Sequence, residues 1–401
     1  MVAPSVFASG PLQRSPDTQV AARVLEAALA AVDPGACVRR ALRVEADAIE
    51  SGRHRMALRD DARVWLIAVG KAAEAMTRAA VPPLGARLAE GLVVAKHPSD
   101  EVLDSRGRIT TVVGAHPVPD ERSLAAGQAV IDFVQRAGEQ DLVVMLLSGG
   151  ASSLMVAPLP GTSLEDIAAR GDALLRSGAP IEQINAARTQ LDRLKGGGLL
   201  RLAAPTRVLS LVLCDVVDAP LSVVGSGPTM PGPMVAIADN DAAVHAALAA
   251  ARAEGWATER WPALRGEARV VGQQLAQRLR DAKVTTPTVF VAGGETTVTV
   301  HGRGRGGRNQ ELALAAVEPL DGHAHRTLIT LATDGEDGPT DAAGAVVRGR
   351  TAADARARGF DVAARLDDND AYPVFEGTGD LLRIGPTGTN VCDLVLGLAR
   401  P

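Results

Sequence analysis

The amino-acid sequence predicts an α/β protein of two domains, the first of them built on a doubly wound, mostly parallel sheet. The chain has 401 residues, which is too long for one ordinary hydrophobic core. In the first half, short apolar β-rich runs alternate with helical patterns, as is typical of strands covered on both faces by helices. After residue 228 the pattern changes to short strands rich in Thr and Gly, beyond a proline cluster typical of a linker. We therefore predict an N-terminal domain at 16–231 and a C-terminal domain at 232–401.

The elements of the N-terminal domain begin with an Ala-rich helix at 17–32, which Asp17 or Thr18 caps. The predicted strands are nearly continuous in apolar residues and lie at 64–69, 92–95, 109–113, 142–147 and 208–213. Helical patterns separate most of these strands and lie at 71–80, 121–135, 164–176 and 181–194. The C-terminal domain is expected to contain two helices within 236–281, strands at 288–291, 296–300 and 327–332, and a helix that follows residue 307.

The composition argues against several classes of partner. Aromatic residues make up 2% of the chain and the net charge is -5, so neither stacking platforms nor a basic excess favours a nucleic-acid partner. No uncharged apolar run is long enough to span a bilayer, and the first eleven residues lack the pattern of a signal peptide. The three cysteines are widely spaced, which fits a reducing compartment. We expect a cytoplasmic protein without a nucleic-acid or membrane partner, and the sequence leaves a homodimer open.

Three predicted strands of the N-terminal domain end in residues suited to an anionic ligand. Lys71, the turn Ser148–Gly150 and Asp215 follow the first, fourth and fifth of these strands. Ligands of open α/β sheets bind at the carboxyl ends of the strands, and a Ser-Gly-Gly turn resembles a backbone nest for phosphate or carboxylate. An aspartate at such a place can bind Mg²⁺ or accept a proton from a hydroxyl. The structural alternatives are a solvated lysine, a tight turn and a turn cap.

The predicted helix 181–194 and the residue after it carry polar side chains at spacings of three and four. Asn185, Arg188, Asp192 and Lys195 would share one face, next to an apolar stripe. Lys195 is followed by three glycines, more than a helix cap requires, so both a binding role and a basic last turn remain open for it.

The segment from residue 291 to 311 is the most informative part of the sequence. It runs from a β-rich stretch through Gly302-Arg-Gly-Arg-Gly-Gly307 and Arg308 into a helix. Glycines allow a backbone to approach a ligand, and arginines supply donors that match phosphate oxygens. The same glycines form a G-x-G-x-x-G pattern between a strand and a helix, so a dinucleotide-dependent reductase is an alternative. The crowding of arginines disfavours that alternative.

A second acidic turn, Thr333-Asp-Gly-Glu-Asp-Gly338, follows the predicted strand at 327–332. Carboxylates after a strand can hold a divalent cation, whereas an Asp/Gly-rich turn is the structural alternative. The chain has no Gly-x-Ser-x-Gly elbow and no Walker loop, so a kinase activity would not be of the P-loop kind.

Many ordered motifs of this chain resemble those of the glycerate 2-kinases whose C-terminal half is called the MOFRL domain. The motifs span nearly the whole chain and are Val69-Gly-Lys-Ala72, Gly114-Ala-His-Pro-Val-Pro-Asp120, Leu147-Ser-Gly-Gly150, Leu194-Lys-Gly-Gly197, Gly225-Ser-Gly-Pro-Thr229, Ala292-Gly-Gly-Glu-Thr-Thr297, Gly306-Gly-Arg-Asn-Gln-Glu311, Thr333-Asp-Gly-Glu-Asp-Gly338 and Gly385-Pro-Thr-Gly-Thr-Asn390.

The resemblance implies a Rossmann-like N-terminal domain, a smaller mixed-sheet domain and an active site in the cleft between them. It implies transfer of phosphate from ATP, with Mg²⁺, to the 2-hydroxyl of D-glycerate, which gives 2-phosphoglycerate. Lys71 and Arg308 look like the basic pair that faces substrate and phosphate. Some relatives carry the name hydroxypyruvate reductase, so that activity and a catalytically weak nucleotide-binding relative are the alternatives.

Two positions depart from the pattern of that family. After Arg188 the family often has Lys-His and then Ser, where this chain has Thr189, Gln190 and Asp192. The second departure is Val217-Asp-Ala219, where the family often has Gly-Asp. The first change could alter substrate preference or weaken activity, and the second affects any metal role of Asp218.

The resulting hypothesis gives each candidate residue a role in phosphoryl transfer, which depends on positioning and on neutralisation of charge. Lys71 and Arg308 neutralise the phosphoryl group and the glycerate carboxylate, and Asp215 orients or deprotonates the hydroxyl. Further predicted ligand-binding residues are Ser148, Gly149, Gly150, Arg188, Lys195, Gly293, Gly294, Asn309 and Glu311. Asp334, with Glu295 or Asp337, is predicted to hold Mg²⁺, and Glu311 is expected to orient Arg308 through an ion pair at spacing three.

Overall fold

The computed structural model describes residues 6–98, 102–176, 181–217 and 220–401, which form two compact units. The parallel-sheet unit comprises the described residues within 33–239. The mixed-sheet unit comprises the described residues up to Val32 together with Asn240–Pro401. Both units combine helices with a six-stranded sheet, which confirms the predicted α/β class.

The elements are numbered in chain order. The α-helices are α1 (Pro16–Ala31), α2 (Pro34–Ala41), α3 (Ala73–Leu84), α4 (Glu121–Val134), α5 (Ala151–Leu154), α6 (Leu164–Arg176), α7 (Ile181–Leu191), α8 (Gly198–Ala203), α9 (Asn240–Ala253), α10 (Ala268–Asp281), α11 (Arg308–Val317), α12 (Thr351–Ala357), α13 (Val362–Asp367) and α14 (Ala371–Thr378). The strands are β1 (Arg43–Val44), β2 (Ala48–Ser51), β3 (His54–Ala57), β4 (Val64–Val69), β5 (Leu88–Ala95), β6 (Ile109–Val113), β7 (Leu142–Leu147), β8 (Arg207–Leu213), β9 (Met234–Ala238), β10 (Ala257–Arg260), β11 (Thr288–Gly294), β12 (Arg326–Ala332), β13 (Gly344–Arg348), β14 (Leu381–Leu382) and β15 (Asp393–Ala399). Short 3-10 helices lie at Pro11–Gln13, Gly85–Arg87, Leu221–Ser226 and Glu318–Leu320.

The main sheet of the parallel-sheet unit has the strand order β6-β5-β4-β7-β8-β9, and every neighbouring pair is parallel. All residues of β4 and β7 are buried, which explains why these strands appear in the sequence as unbroken apolar runs. The chain moves from β4 outwards to β6 and then returns to β7 on the other side of β4. The predicted parallel sheet is therefore confirmed. A small antiparallel sheet, β1-β2-β3, belongs to the same unit.

The mixed-sheet unit has the strand order β10-β11-β15-β12-β13-β14, in which β10 and β11 are parallel and the other pairs are antiparallel. The sequence interpretation missed β15, although it lies at the centre of the sheet between β11 and β12. The predicted strand at 296–300 was wrong. Thr297 forms only an isolated bridge with Glu267, whose carboxylate also accepts hydrogen bonds from the backbone and hydroxyl of Thr299.

The core of the mixed-sheet unit lies between the sheet and the helices α10, α11, α12 and α14. Phe290 of β11 stacks on Trp261, with ring centroids 4.9 Å apart. All residues of α11 after Arg308 are buried, because this helix packs against α10 and β13. The first residue of α11, Arg308, is thus held on a helix that is fixed by its apolar contacts.

The first helix packs with the mixed-sheet unit and not with the sheet that follows it in sequence. Arg23 of α1 makes a two-pronged ion pair with Glu254, and Arg400 pairs with Asp17. The predicted domain division at 231/232 stays a prediction, while the compact units place the described residues before 33 with the C-terminal part of the chain. Within the described ranges, no helix combines the length and apolarity that crossing a membrane requires.

Candidate functional site

The parallel sheet has a switch point between β4 and β7, where the chain changes its direction across the sheet. In the order β6-β5-β4-β7-β8-β9, the loops after β4 and β7 diverge to opposite sides, and open α/β sheets bind ligands in the crevice formed there. Lys71 follows β4, the turn Ser148–Gly150 follows β7, and Asp215 follows the adjacent strand β8. The structure thus places these three predicted elements side by side at the carboxyl ends of adjacent strands.

The turns after β4 and β7 are bonded to each other. The amide of Lys71 donates to the carbonyl of Gly149 at 2.9 Å, and the amide of Ser148 donates to Val69 O at 3.0 Å. The hydroxyl of buried Ser148 accepts from Ala72 N at 3.1 Å. Ser148 therefore fixes the turn that carries Lys71, and the amides of Gly149 and Gly150 remain the predicted phosphate donors of this turn.

Glycine is required at both turns of the switch point. The φ angle of Gly70 is +125°, and a methyl group there would collide with the backbone and hydroxyl of Ser148. At Gly150, with φ +85°, a methyl group would lie 3.0 Å from the imidazole of His116 and 3.6 Å from Cγ of Lys71. His116 thus belongs to the neighbourhood of Lys71. The sequence interpretation gave it no role, although its His-Pro-Val-Pro loop is one of the motifs shared with the family.

Asp215 is a carboxylate in a partly buried position next to a cation. Burial raises the pKa of Asp215, while a backbone hydrogen bond and the charge of Lys71 oppose this effect. The net shift is upward. A carboxylate at a strand end next to an ammonium group is a candidate general base, and this role of Asp215 stays a prediction. Asp218 lies outside the described residues.

Lys195 is not on a helix, because α7 ends at Leu191 and Asp192 forms a bridge with Pro158. The predicted shared helix face was therefore wrong for Asp192 and Lys195. The Lys195 side chain is 1% exposed, and its ammonium donates to the carbonyls of Ser152 and Met155, both at 2.8 Å.

Asp192 and Arg188 complete the electrostatic surroundings of Lys195. Burial lowers the pKa of Lys195 to about 8, against the opposing charge of Asp192 and with the help of Arg188. The carboxylate of Asp192 lies 3.9 Å from the ammonium. Burial also lowers the pKa of Arg188, which is partly exposed. Binding roles for Arg188 and Lys195 stay predictions, and the geometry gives Lys195 a structural role in holding the segment after β7.

In the mixed-sheet unit, Arg308 lies in a cluster of charged residues with Asp393 and Glu295. Its Nε and one terminal nitrogen donate to the two oxygens of Asp393, at 2.6 and 3.0 Å. Its other terminal nitrogen lies 2.9 Å from Glu295. Burial would lower the pKa of Arg308, but Asp393 and Glu295 outweigh it and the pKa is raised. The side chain is 33% exposed, so part of the guanidinium faces solvent.

Asp393 is a residue that the sequence interpretation missed. It is the first residue of β15, is 1% exposed and pairs with Gly294 in the sheet, which places it beside the start of α11. Burial raises its pKa, against the opposing charge of Arg308 and a hydrogen bond from Asn309. The aspartate before the apolar run of β15 was the signal that could have identified it.

Asp337 serves as the cap of α11. Its two oxygens accept from the backbone amides of Asn309 and Gln310, at 3.0 and 2.8 Å, and Gly307 leaves room for it. Because it is fully buried, its pKa is raised to about 6 despite these bonds. The side chain of Asn309 is buried against the same carboxylate, at 3.4 Å.

The three predicted metal ligands do not form a coordination set. Asp337 is occupied by the start of α11, and Glu295 pairs with Arg308. Asp334 accepts from the amide of Glu336 at 3.2 Å. Across the described ranges, no group of three or more His, Cys, Asp or Glu residues is placed to hold a metal ion. A protein cage for Mg²⁺ does not fit these residues.

The expected ion pair between Glu311 and Arg308 was wrong. Glu311 lies on the buried side of α11, where Arg269 of α10 donates to one oxygen at 3.0 Å and Asn369 donates to the other at 2.7 Å. A spacing of three residues allows an ion pair on a helix surface, but here Arg308 is directed towards β15.

The glycines of the mixed-sheet unit approach other parts of the protein. A methyl group at Gly293 would collide with Asn240, and one at Gly294 with Leu264. Gly293 and Gly294 are both buried at the end of β11. Their role as a phosphate cradle stays a prediction, which this packing does not favour.

The G-x-G-x-x-G pattern does not have the geometry of a dinucleotide loop. In such a loop the glycines allow the backbone to approach a pyrophosphate. Here, methyl groups at Gly302 and Gly304 would collide with Asp368 and Asp370. The backbone amides of Arg303 and Arg305 donate to the carboxylates of the same two residues, at 3.0 and 2.8 Å.

The fold and its clusters define a two-unit α/β protein with a charged site at the switch point of a parallel sheet. Two family models match the chain, one described as "Domain of unknown function (DUF4147)" at residues 20–254 and one as "MOFRL family" at 288–393. The chain belongs to the glycerate kinase family that combines these two domains.

Similar proteins from other organisms cover most of the chain. A D-glycerate 2-kinase of Thermotoga maritima is 38% identical, and the match covers 84% of this chain and 90% of that protein. A protein of Agrobacterium vitis named "Putative hydroxypyruvate reductase" is 34% identical, with 94% and 93% covered. The crystal structure of glycerate kinase from Thermotoga maritima matches with a TM-score of 0.82 and 35% identity, and covers 95% of this chain and 99% of that one.

Proposed function

We propose that this protein is a D-glycerate 2-kinase, which transfers the γ-phosphoryl group of ATP to the 2-hydroxyl of D-glycerate. The observation that carries the proposal is the placement of Lys71, the Ser148–Gly150 turn and Asp215 together at the switch point of the parallel sheet. In phosphoryl transfer to a hydroxyl, a cation and backbone amides neutralise the transferring group and a carboxylate accepts the proton of the hydroxyl. The name of the Thermotoga relative supports the same reaction.

In the proposed reaction, Asp215 accepts the proton of the 2-hydroxyl as the oxygen attacks the γ-phosphorus. A new O–P bond forms, the bond from that phosphorus to the β–γ bridging oxygen breaks, and ADP leaves with the electron pair. Lys71 neutralises negative charge on the transferring group, and the amides of Gly149 and Gly150 donate to its oxygens. Ser148 holds the turn in place through Ala72.

Arg308 is the proposed anion-binding group of the mixed-sheet unit. Asp393 orients its guanidinium through two parallel hydrogen bonds, a geometry that removes the rotational freedom of the side chain. Mg²⁺ is commonly bound by one or two carboxylates together with substrate phosphates, so the ion would enter with ATP. Asp334 is the proposed carboxylate that meets it, and Glu295 and Asp337 stay predictions that their present contacts do not favour.

The reductase alternative is supported only by the name of the Agrobacterium relative, "Putative hydroxypyruvate reductase". The loop at 302–307 speaks against it, because the amides of Arg303 and Arg305 are bonded to Asp368 and Asp370. A weak nucleotide-binding relative is the remaining alternative, since Thr189, Gln190 and Asp192 depart from the family pattern. The cytoplasmic location and a homodimer stay predictions.

One set of assays separates these activities. The purified protein is incubated with ATP, MgCl₂ and D-glycerate, ADP release is followed by a coupled assay, and the product is identified by phosphorus NMR. We expect 2-phosphoglycerate; formation of 3-phosphoglycerate would correct the position of transfer. In parallel, NADH or NADPH oxidation is measured with hydroxypyruvate. Turnover only in that second assay would replace the kinase by the reductase, and nucleotide binding without either turnover would indicate the weak relative.

A further inference from the structure

Residues 301–307, which we call the arginine loop, lead into Arg308 and are bonded along one side to a turn formed by Asp368, Asn369 and Asp370, which we call the clasp turn. Three successive side chains of the clasp turn accept hydrogen bonds from backbone amides of the loop. These bonds are His301 N to Asn369 Oδ1 at 2.8 Å, Gly302 N to Asn369 Oδ1 at 3.0 Å, Arg303 N to Asp368 Oδ1 at 3.0 Å and Arg305 N to Asp370 Oδ1 at 2.8 Å. The two segments therefore run together over five residues.

The loop glycines are needed for this contact. Gly302 and Gly304 lie so close to Asp368 and Asp370 that a methyl group on either would collide with them. The amide of Gly304 also donates to the carbonyl of Asp368, at 2.9 Å. The two glycines are two residues apart, as are the two aspartates of the clasp turn against which they pack.

Asn369 joins the clasp turn to the helix that begins with Arg308. Its amide nitrogen donates to Glu311 of α11 at 2.7 Å, while its oxygen holds the loop. Glu311 is fixed from its other side by Arg269. Asn369 is 8% exposed, and its φ angle of +54° lies in the left-handed region that Asn tolerates better than most residues.

We propose that Asn369 is a positioning residue for Arg308, and that the pair Asn369–Glu311 fixes the arginine loop and the first turn of α11 as one body. This proposal rests on the proposed kinase function, and it gives Glu311 a positioning role in place of ligand binding. The loop and the helix meet at residue 307, so any shift of the loop moves the backbone that carries the guanidinium. Misplacement of a charged group by about 1 Å can lower the rate by about 10²-fold.

The hydrogen-bond polarity of the pair provides a sharp test. In Asn369→Asp, two carboxylates would face each other where the 2.7 Å bond now lies, and in Glu311→Gln two NH₂ groups would face each other because Arg269 requires an oxygen. In the double variant Asn369→Asp/Glu311→Gln the introduced amide can donate to the introduced carboxylate. The bond between residues 369 and 311 is then restored with its direction reversed, while the bonds from His301 N, Gly302 N and Arg269 keep their direction. The 3.4 Å bond from residue 369 to the carbonyl of Thr299 is lost, because a carboxylate cannot donate.

We expect each single variant to lower kcat by about 10²-fold and the double variant to recover most of it. Asn369→Gly is a third variant, since glycine accepts the positive φ angle and loses only the side-chain bonds; it should also lower kcat. The matched control is Asp361→Ala, which removes the side-chain cap of α13 at the bond from Ala364 N, 3.0 Å long, and should leave kcat unchanged.

Amide hydrogen exchange of the arginine loop supplies a readout that is independent of turnover. Exchange at 301–305 should accelerate in Asn369→Asp and Asn369→Gly and return to the wild-type rate in the double variant. Faster exchange with unchanged kcat would overturn the positioning role, and so would a double variant that stays as slow as the single ones. If wild-type protein does not phosphorylate D-glycerate, the kinase proposal fails, and positioning is then measured as the affinity of each variant for ATP.

Discussion

The parallel-sheet unit and the mixed-sheet unit each contain a basic residue next to a run of glycines, and the two residues have different surroundings. Lys195 precedes three glycines, is 1% exposed and donates to two backbone carbonyls. Arg308 follows the arginine loop, is 33% exposed and is held by two carboxylates. The ammonium of Lys195 thus forms its hydrogen bonds inside the protein, whereas the guanidinium of Arg308 is oriented by its carboxylate partners and remains partly exposed to solvent.

The glycines are alike in the two segments. Those after Lys195 leave room for Thr189, Met230 and Arg193, and Gly302 and Gly304 of the arginine loop leave room for the clasp turn. A glycine run next to a basic residue therefore indicates a close approach of chain to chain in both cases. What distinguishes a candidate ligand-binding cation is its exposure and the charge of its partners, which sequence spacing does not reveal.

The strongest test of this difference is Arg308→Ala, which should lower kcat/KM for glycerate phosphorylation by about 10³-fold, because an arginine that stabilises the transferring group contributes on that scale. The matched control is Arg350→Ala. Arg350 stands at the start of α12 and makes the same two-pronged bond, to Asp354 at 2.7 and 3.0 Å, but on the exposed surface.

Arg350→Ala should leave turnover close to that of the wild type. Because loss of Arg308 also leaves Asp393 buried without its cation, thermal unfolding is measured for both variants. Arg308→Lys, which keeps the positive charge and loses the two-pronged geometry, separates the two effects. Turnover at the wild-type level in Arg308→Ala would remove this residue from the reaction.

In the parallel-sheet unit, Asp215 is the residue whose substitution should lower activity, as substitution of Arg308 should in the mixed-sheet unit. Asp215→Asn should lower kcat by about 10²-fold, on the scale of a general base. Since the pKa of Asp215 is raised by burial, the base is lost as the pH falls through a value above that of an ordinary aspartate. The rate should therefore rise with pH in the acidic range, and this rise should disappear in Asp215→Asn.

The control for Asp215 is Asp141→Asn, at the opposite end of the same sheet. Asp141 precedes β7 and accepts from Arg63 N and from the indole of Trp65, both at 2.9 Å, so its loss should lower the thermal midpoint and leave the pH profile of turnover intact. An unchanged pH profile in Asp215→Asn would show that another group takes the proton.

The sequence predicted the inner strands of the parallel sheet well because they are covered on both faces, and it missed the edge strand β9, which is partly exposed. Strands such as β4 and β7 then consist of apolar residues only, and their bounds can be read directly from the chain. The mixed sheet was harder to predict. Its central strand β15 pairs with β11 and β12, which lie far from it in sequence, and local patterns do not contain such pairings.

For the candidate site, the sequence predicted the positions of Lys71 and Asp215 through one rule, that strand ends of an open sheet meet at one edge. It could not predict partners. Glu311 was assigned to Arg308 from a spacing of three, while the tertiary structure offers it Arg269 and Asn369. Asp393 was missed for the same reason, since its partner Arg308 is 85 residues away in sequence.

The smallest effect on activity is expected from substitution of Lys195. Because Lys195 is buried where Arg308 is partly exposed, its substitution should lower stability instead. Lys195→Met leaves the carbonyls of Ser152 and Met155 without their donor and Asp192 buried without a cation, which should cost about 3 kcal/mol of unfolding free energy. Asp192→Asn removes the charge and keeps an oxygen for Leu194 N, now at 2.8 Å, so it should cost less.

The pH dependence of stability gives the sign of the Lys195 contribution. Its pKa in the folded protein is about 8, below the ordinary 10.5, so folding favours the neutral amine. The stabilising contribution of the Lys195 ionisation to the free energy of unfolding is complete above pH 10.5 and is lost as the pH falls through about 8. The variant Lys195→Met should remove this pH dependence. Urea unfolding at several pH values measures it, together with turnover at a temperature where both proteins are folded. Should Lys195→Met keep its stability and lose turnover, Lys195 would be a ligand-binding residue like Arg308, and the contrast between the two segments would be wrong.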